Sequence, residues 1–236
     1  FPAEAKGLEW LSEPNAIRIP KIRGVSDSSC APQSAFLALE LLEPAPRCSD
    51  FAEKLGRGLA LLHRSHPHTF GLDHSNFIGS LPQINRPSTN WNEFFVEQRI
   101  RPQVKIARNK SLLSSTDARE FDLLCERIDN LLGPDEPPAR LHGDLWNGNV
   151  FVDQRGEPLL LDPAVYGGHR EVDLAMMRLF GGFPERTFEA YNEAYPIAPD
   201  SIERVPLYQL YPILVHVNLF GGSYVKSAKS ILRRYH

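Results

Sequence analysis

The amino-acid sequence predicts an α+β protein in two unequal parts: a small mixed piece over residues 1–43 and a larger, mainly helical piece over residues 44–236. Three observations predict it. Strand-like runs gather ahead of the Pro44/Pro46 pair. Apolar residues at helical spacing dominate beyond it. A single strong hairpin signal interrupts the helical part between Val150 and Leu161.

The elements follow in order. Glu4 to Leu11 reads as the end of an amphipathic helix, stopped by Pro14 and Asn15. Ile17 to Ile22 alternates apolar and polar residues as a strand does, and Phe36 to Leu42 is a short apolar run that suits a buried strand. Ser49 or Asp50 caps a helix that runs to about His66. Pro67 to Arg86 reads as a long irregular connection. Helices are expected at Trp91–Val104, Ala118–Leu132, Val172–Leu179, Thr187–Tyr195 and Leu207–Arg233.

Composition narrows the function classes. At 236 residues with 42% apolar side chains, the chain is long enough to bury a core without staples. A net charge of −3 supplies no basic field for nucleic acid or an anionic membrane. The basic run Lys226 to Arg234 reads as a solvated helix face. No apolar run is long enough to span a bilayer, and the N-terminus lacks the layout of a signal peptide. Cys30, Cys48 and Cys125 are odd in number and unpaired in spacing, which fits neither a disulfide framework nor a zinc site and suits a cytoplasmic location. His63, His66 and His68 have metal-like spacing but no carboxylate or Cys beside them, so they read as surface or loop histidines. The chain opens on Phe1 rather than Met, as a fragment or the ordered part of something longer would.

The chemistry concentrates in Leu141 to Pro163. Val150-Phe151-Val152 and Leu159-Leu160-Leu161 flank a short loop in which Gly156 can take a positive φ, so the two runs pair as a hairpin. Asn149 enters the first strand and Asp162 leaves the second, which sets them side by side. Asp144 sits on the His-Gly-Asp turn five residues before Asn149. Two carboxylates and an amide oxygen are the hard ligands and the base that magnesium-dependent phosphoryl transfer from ATP requires. His-x-Asp-x-x-x-x-Asn, then a hairpin, then Asp, is the catalytic and metal-binding pattern of a protein-kinase-like two-lobe fold.

The stretch His142 to Asn149, with Asp162-Pro163-Ala164 and Gly168 to Met176, resembles the fructosamine kinase (ketosamine-3-kinase) family, relatives of the aminoglycoside phosphotransferases. The likeness extends to Asn76–Gly79, Trp91–Phe95, Leu179–Phe183 and Asn218–Gly221. It implies an ATP- and Mg2+-dependent kinase that phosphorylates the sugar 3-hydroxyl of a fructosamine or ribulosamine, carried on a small amine or a glycated protein lysine, as a deglycation repair. It implies Asp144 as catalytic base, Asn149 and Asp162 as metal ligands, and Glu40, Leu41 and Leu42 as a hinge strand whose backbone meets the adenine. Glu4 would pair with a lysine on a preceding strand, and residues 1–43 would be the remainder of an N-terminal lobe. Trp146, Asn76, Phe77 and His169 would line the sugar pocket, while His142 and Asp173 would steady the catalytic turn. The family's Gly-rich phosphate-covering loop and lysine would lie ahead of Phe1. Three rival readings remain open: a kinase for an aminoglycoside, choline or sugar; a binding protein that has lost ATP handling; and a metallohydrolase using His142, Asp144 and Asp162.

Overall fold

The structure, a computed structural model, describes residues 1–27 and 29–235. Helix α1 (Pro2–Ser12) opens the chain, with Pro2 at its first turn, and Leu8 and Leu11 turned inward. Strands β1 (Ile22–Val25) and β2 (Leu37–Leu39) pair antiparallel. The predicted strand at Ile17 to Ile22 therefore begins only at its last residue. Residues 17–21 instead run beside the later hairpin, where the Leu160 amide donates to the Arg18 carbonyl. Strand β2 ends at Leu39, short of the expected Glu40–Leu42.

Helix α2 (Phe51–Arg64) follows from Asp50 as expected. The connection read as irregular contains an antiparallel hairpin, β3 (Asn76–Ile78) with β4 (Leu81–Gln83). Its strands have three residues each, too short for period-2 alternation to register. Next comes one long helical stretch, α3 (Trp91–Phe95), a π-helical turn (Val96–Ile100) and α4 (Arg101–Asn109). Helix α5 (Ser115–Glu126) begins at a capping box in which Ser114 and Asp117 satisfy each other's backbone.

Strands β5 (Ala139–Leu141) and β8 (Tyr166–Gly168) pair antiparallel, as do β6 (Val150–Val152) and β7 (Pro158–Leu160). Helices α6 (Glu171–Leu179) and α7 (Glu185–Ala194) lie close to their predicted spans. The last helix was expected as one piece. It is two, α8 (Ser201–Phe220) and α9 (Ser223–Arg234), because Gly221 and Gly222 both adopt positive φ and turn the chain.

Two apolar clusters result. One joins α3, α4, α5, α8 and α9 to β5, and holds Leu141, Ala164 and Tyr166. The other joins α1 and α2 to α7 and the β6–β7 hairpin, and holds Leu8, Leu55, Leu145, Val150, Leu160, Val165 and Tyr191. Residues before Pro44 thus share a core with residues well beyond it. The segment from Leu141 to Leu145 crosses from one cluster to the other, as does Ala164–Val165, and the polar residues between those anchors sit at the seam.

Candidate active site

Two ribbons build the site. β5 delivers His142 to Asn149, which then enters β6. β7 delivers Asp162 to Val165, which then enters β8. The ladders continue past the named strands: the Leu161 amide donates to the Asn149 carbonyl at 2.9 Å, and the Ala164 amide to the His142 carbonyl at 2.9 Å. Both segments are therefore tied to each other at either end. Gly143, at φ 82°, is required between them, because a Cβ there would lie 2.0 Å from the Ala164 carbonyl oxygen.

The three predicted side chains meet. Asn149 Nδ2 donates to the Asp144 carbonyl at 2.8 Å and reaches the Asp144 carboxylate at 3.3 Å and the Asp162 carbonyl at 3.4 Å. This orientation turns the Asn149 amide oxygen away from Asp144. Burial pushes the Asp144 carboxyl up to about 6, and the nearby Asp162 carboxylate adds to the shift. Asp162 itself holds φ 50°, a left-handed conformation that a non-glycine residue keeps only where its surroundings enforce it. Among the described residues no cluster of three His, Cys, Asp or Glu side chains forms a metal cage. Two crowded carboxylates are instead a partial set, of the kind magnesium completes with water, phosphate oxygens and, once its amide is rotated, the Asn149 oxygen.

Behind the turn lies a buried support. Asp173 is fully buried, and its carboxylate accepts the His142 amide at 2.8 Å and the Gly143 amide at 2.9 Å. His142 donates from Nε2 to the Leu161 carbonyl at 2.8 Å and accepts the Asp144 amide on Nδ1 at 3.3 Å. That pattern fixes one neutral tautomer, and burial holds its pKa below the usual histidine range. Sequence reasoning missed the next member. His63, expected on the surface, is fully buried, 3.3 Å from Asp173 through Nε2 and 2.8 Å from the Tyr191 hydroxyl through Nδ1. Its place in α2, four residues beyond the buried Leu59, was the available signal.

Two cavities open on Asp144, Asp162 and Gly79. One, of about 310 Å3, is bounded also by Phe1, Glu4, Asn76, Phe77 and Pro163. Glu4 faces it, and burial and Asp162 both raise its pKa. The other, of about 390 Å3, is walled by Trp146, Met176, Phe180, His216, Phe220 and Tyr224. The Trp146 ring lies over Gly148 and meets Phe180 edge to face, with centroids 6.2 Å apart. Phe180, His216, Phe220 and Tyr224 were not singled out in the sequence as site residues. Their helices converge here only through tertiary packing.

The other residues singled out in the sequence are spread more widely. Asn76 is buried, with its amide donating to the Val165 carbonyl at 2.9 Å and accepting from Gln83 and Asn85 at 2.8 Å each, so its polar atoms serve the scaffold. His169 borders neither cavity. It is buried and stacked on Tyr208 at 5.3 Å, inside the larger core. Glu40, Leu41 and Leu42 also border neither cavity. The Glu40 carboxylate bonds Arg18 at 3.1 Å, and Leu41 stands exposed. Phe77, by contrast, is an exposed ring on the wall of the first cavity.

A family model described as fructosamine kinase matches residues 1–236. A Synechocystis protein named "Probable ketoamine kinase slr1563" is 40% identical, over 99% of this chain and 78% of its own length. A "Probable ketoamine kinase" of Lactiplantibacillus plantarum is 42% identical, over 100% of this chain and 81% of its own. A crystal structure of a "putative fructosamine-3-kinase" from Thermobifida fusca matches with a TM-score of 0.89 at 42% identity, covering 99% of this chain and 80% of that one. The aminoglycoside phosphotransferase APH(2'')-Ib, in an ADP-bound crystal structure, shares the fold at 13% identity and a TM-score of 0.60, over 98% of this chain and 80% of that one.

Proposed function

We propose that this chain, which belongs to the fructosamine kinase family and is a phosphotransferase with a hydroxyl acceptor, moves the γ-phosphate of ATP onto the sugar 3-hydroxyl of a ketosamine. The observation that carries this reading is the meeting of Asp144, Asn149 and Asp162 at the mouth of an aromatic-walled cavity. Asp144 is the general base. Its carboxylate takes the hydroxyl proton while the sugar oxygen bonds phosphorus and ADP departs. A carboxyl titrating near 6 is half-way matched to that task, because it is ionised at neutral pH yet more basic than an ordinary aspartate.

Asn149 and Asp162 are the residues that would hold magnesium, which when bound neutralises phosphate charge. Glu4 serves the nucleotide side, and Phe77 on the β3–β4 hairpin the acceptor side, of the cavity that both share with Asp162. Trp146 serves the acceptor side, where an indole face suits the apolar face of a sugar or the cationic amine of a ketosamine. The same two carboxylates give that end of the cavity a negative potential that favours a cation. A phosphorylated ketosamine is unstable, so the activity would strip sugar adducts from amines. The three free cysteines suit a reducing cytoplasm.

The test is ADP release from ATP and magnesium with fructosamine and ribulosamine derivatives of a free amine and of a glycated peptide. Phosphorylation at the 3-position, read by phosphorus NMR, is the expected result. Turnover of aminoglycosides or choline with none of the ketosamines would overturn the reading.

A further inference from the structure

The π-helical turn at Val96–Ile100 drives a cationic side chain into the protein interior. Pro102 has no amide hydrogen to offer the Gln98 carbonyl, so the α-helical ladder cannot pass this point unbroken. The Arg101 amide reaches back five residues to the Val96 carbonyl instead. Arg99 is thereby turned inward and is fully buried. Its guanidinium donates to the Gln98 carbonyl at 3.0 Å, to the Ile84 carbonyl at 2.6 Å and to Asn85 Oδ1 at 2.6 Å. The Tyr166 ring lies beneath it at 3.9 Å and the Phe94 ring at 4.6 Å. Among the described residues, carbonyl and amide oxygens and aromatic faces, rather than a carboxylate, receive this charge.

From Arg99 a chain of buried hydrogen bonds leads to the site. Asn85 Nδ2 donates to Asn76 Oδ1 at 2.8 Å, and Gln83 Nε2 donates to the same oxygen at 2.8 Å and to the Ala164 carbonyl at 3.0 Å. Asn76 Nδ2 donates to the Val165 carbonyl, and the Tyr211 hydroxyl donates to Gln83 Oε1 at 2.7 Å. Outside, Gln98 clasps both backbone groups of Arg86, at 2.7 and 2.8 Å. The network thus joins the π turn to the β3–β4 hairpin, and the hairpin to the backbone just after Asp162. That hairpin carries Phe77 on one cavity and Gly79 on both.

We infer that Arg99 is a positioning residue that sets the distance between the β3–β4 wall and the Asp144–Asp162 pair, and so fixes where the acceptor hydroxyl stands. This rests on the proposed kinase reading, but not on which hydroxyl compound is the acceptor. The network touches the acceptor wall and the chain after Asp162, so relaxing it shifts acceptor placement ahead of nucleotide binding. Displacements near 1 Å cost up to about a hundredfold in rate.

The test compares Arg99→Lys and Tyr211→Phe with the wild type, using the best acceptor found for the wild type. Arg99→Lys keeps the charge but loses the fork that spans Ile84, Gln98 and Asn85. Tyr211→Phe removes one hydroxyl and keeps the ring. In folded variants, kcat/KM for the acceptor falls about tenfold or more for Arg99→Lys and less for Tyr211→Phe, while KM for ATP stays within about twofold. Unchanged acceptor kinetics in folded Arg99→Lys would overturn the inference, as would equal losses toward both substrates. Should Arg99→Lys not fold, Tyr211→Phe decides alone on the same split. A wild type that accepts no ketosamine but another hydroxyl compound would sink the ketosamine assignment and leave this comparison intact.

Discussion

Replacing Asp173 by Asn removes one charge and no volume, and the structure says what that costs. The carboxylate is fully buried, with Oδ2 accepting the His142 amide at 2.8 Å and facing His63 Nε2 at 3.3 Å, and Oδ1 accepting the Gly143 amide at 2.9 Å. An Asn can present only one oxygen. Its cheaper orientation keeps that oxygen toward His142 and His63 and turns its NH2 against the Gly143 amide. Two buried donors, the Gly143 amide and the Asn NH2, then face each other; leaving one of them unsatisfied costs about 1–3 kcal/mol, and two remaining bonds lose their ionic strengthening, at about 1 kcal/mol together. The expected loss is about 2–4 kcal/mol in urea unfolding followed by circular dichroism, a large share of the stability of a typical domain. Gly143 is also the residue whose positive φ turns the chain toward Asp144. The same variant should therefore lose about a hundredfold in kcat at temperatures where it is folded. A variant within about 0.5 kcal/mol of the wild type, with full turnover, would refute the claim that Asp173 holds the turn.

Asp144→Asn should lower kcat by about 10²–10⁴-fold while nucleotide still binds in a fluorescence titration. It should also stabilise the metal-free protein at neutral pH by about 1–3 kcal/mol, since a buried carboxyl with a raised pKa opposes folding once ionised. In chelator, wild-type stability should accordingly fall as pH climbs from about 4 to about 6, where the native state alone keeps the Asp144 proton, and Asp144→Asn should lack that slope. Gly148→Ala would set a Cβ 2.3 Å from the Trp146 ring and evict it, so the acceptor KM should rise about tenfold with the KM for ATP little changed in steady-state assays. Glu136 forms a two-pronged pair with Arg170, at 2.6 Å for each prong, and although burial pushes its carboxyl up, that pairing holds it below the usual range. Its contribution is present at neutral pH and lost as pH falls below its lowered pKa. Thermal melts of Glu136→Ala at pH 7 should show a loss of about 3–5 kcal/mol, shrinking as the buffer is acidified.

What the sequence disclosed and what it hid follow from how far apart the determining residues lie. The β6–β7 hairpin is local: two apolar runs, one turn and a glycine specify it within a dozen or so residues, and with it the meeting of Asp144, Asn149 and Asp162. The β5–β8 ribbon is not. Its second strand is Tyr166-Gly167-Gly168, glycines that a propensity argument assigns to a turn, yet Gly167 must lack a side chain because the Thr69 carbonyl would lie 2.4 Å from its Cβ. Surroundings of polar residues were legible only where a local hairpin sets them, as at Asp144, Asn149 and Asp162. Asn76 and His169 carry polar side chains within motif stretches, but which way each points is set by Gln83, Asn85, Tyr208 and Trp91, residues with no sequence signal linking them to those positions.

The seam between the two apolar clusters explains why so much buried polarity surrounds so small a site. Asp144 and Asp162 must stand close enough to repel each other, which raises the energy of the folded state wherever no cation is bound. Nothing within the pair relieves that repulsion, so rigidity has to come from behind. On one side Asp173, His63 and Tyr191 fasten the His142–Gly143 turn to α2 and α7. On the other, Arg99, Asn85 and Gln83 fasten the Ala164–Val165 backbone to the π turn. Each support is anchored in a different cluster, Tyr191 in one and Tyr211 in the other. Loosening either would let the two carboxylates drift apart, which relieves part of their repulsion but sacrifices the geometry that catalysis needs. The supports therefore act against the local electrostatics, and variants that weaken them should cost more activity than their unfolding free energies alone would suggest.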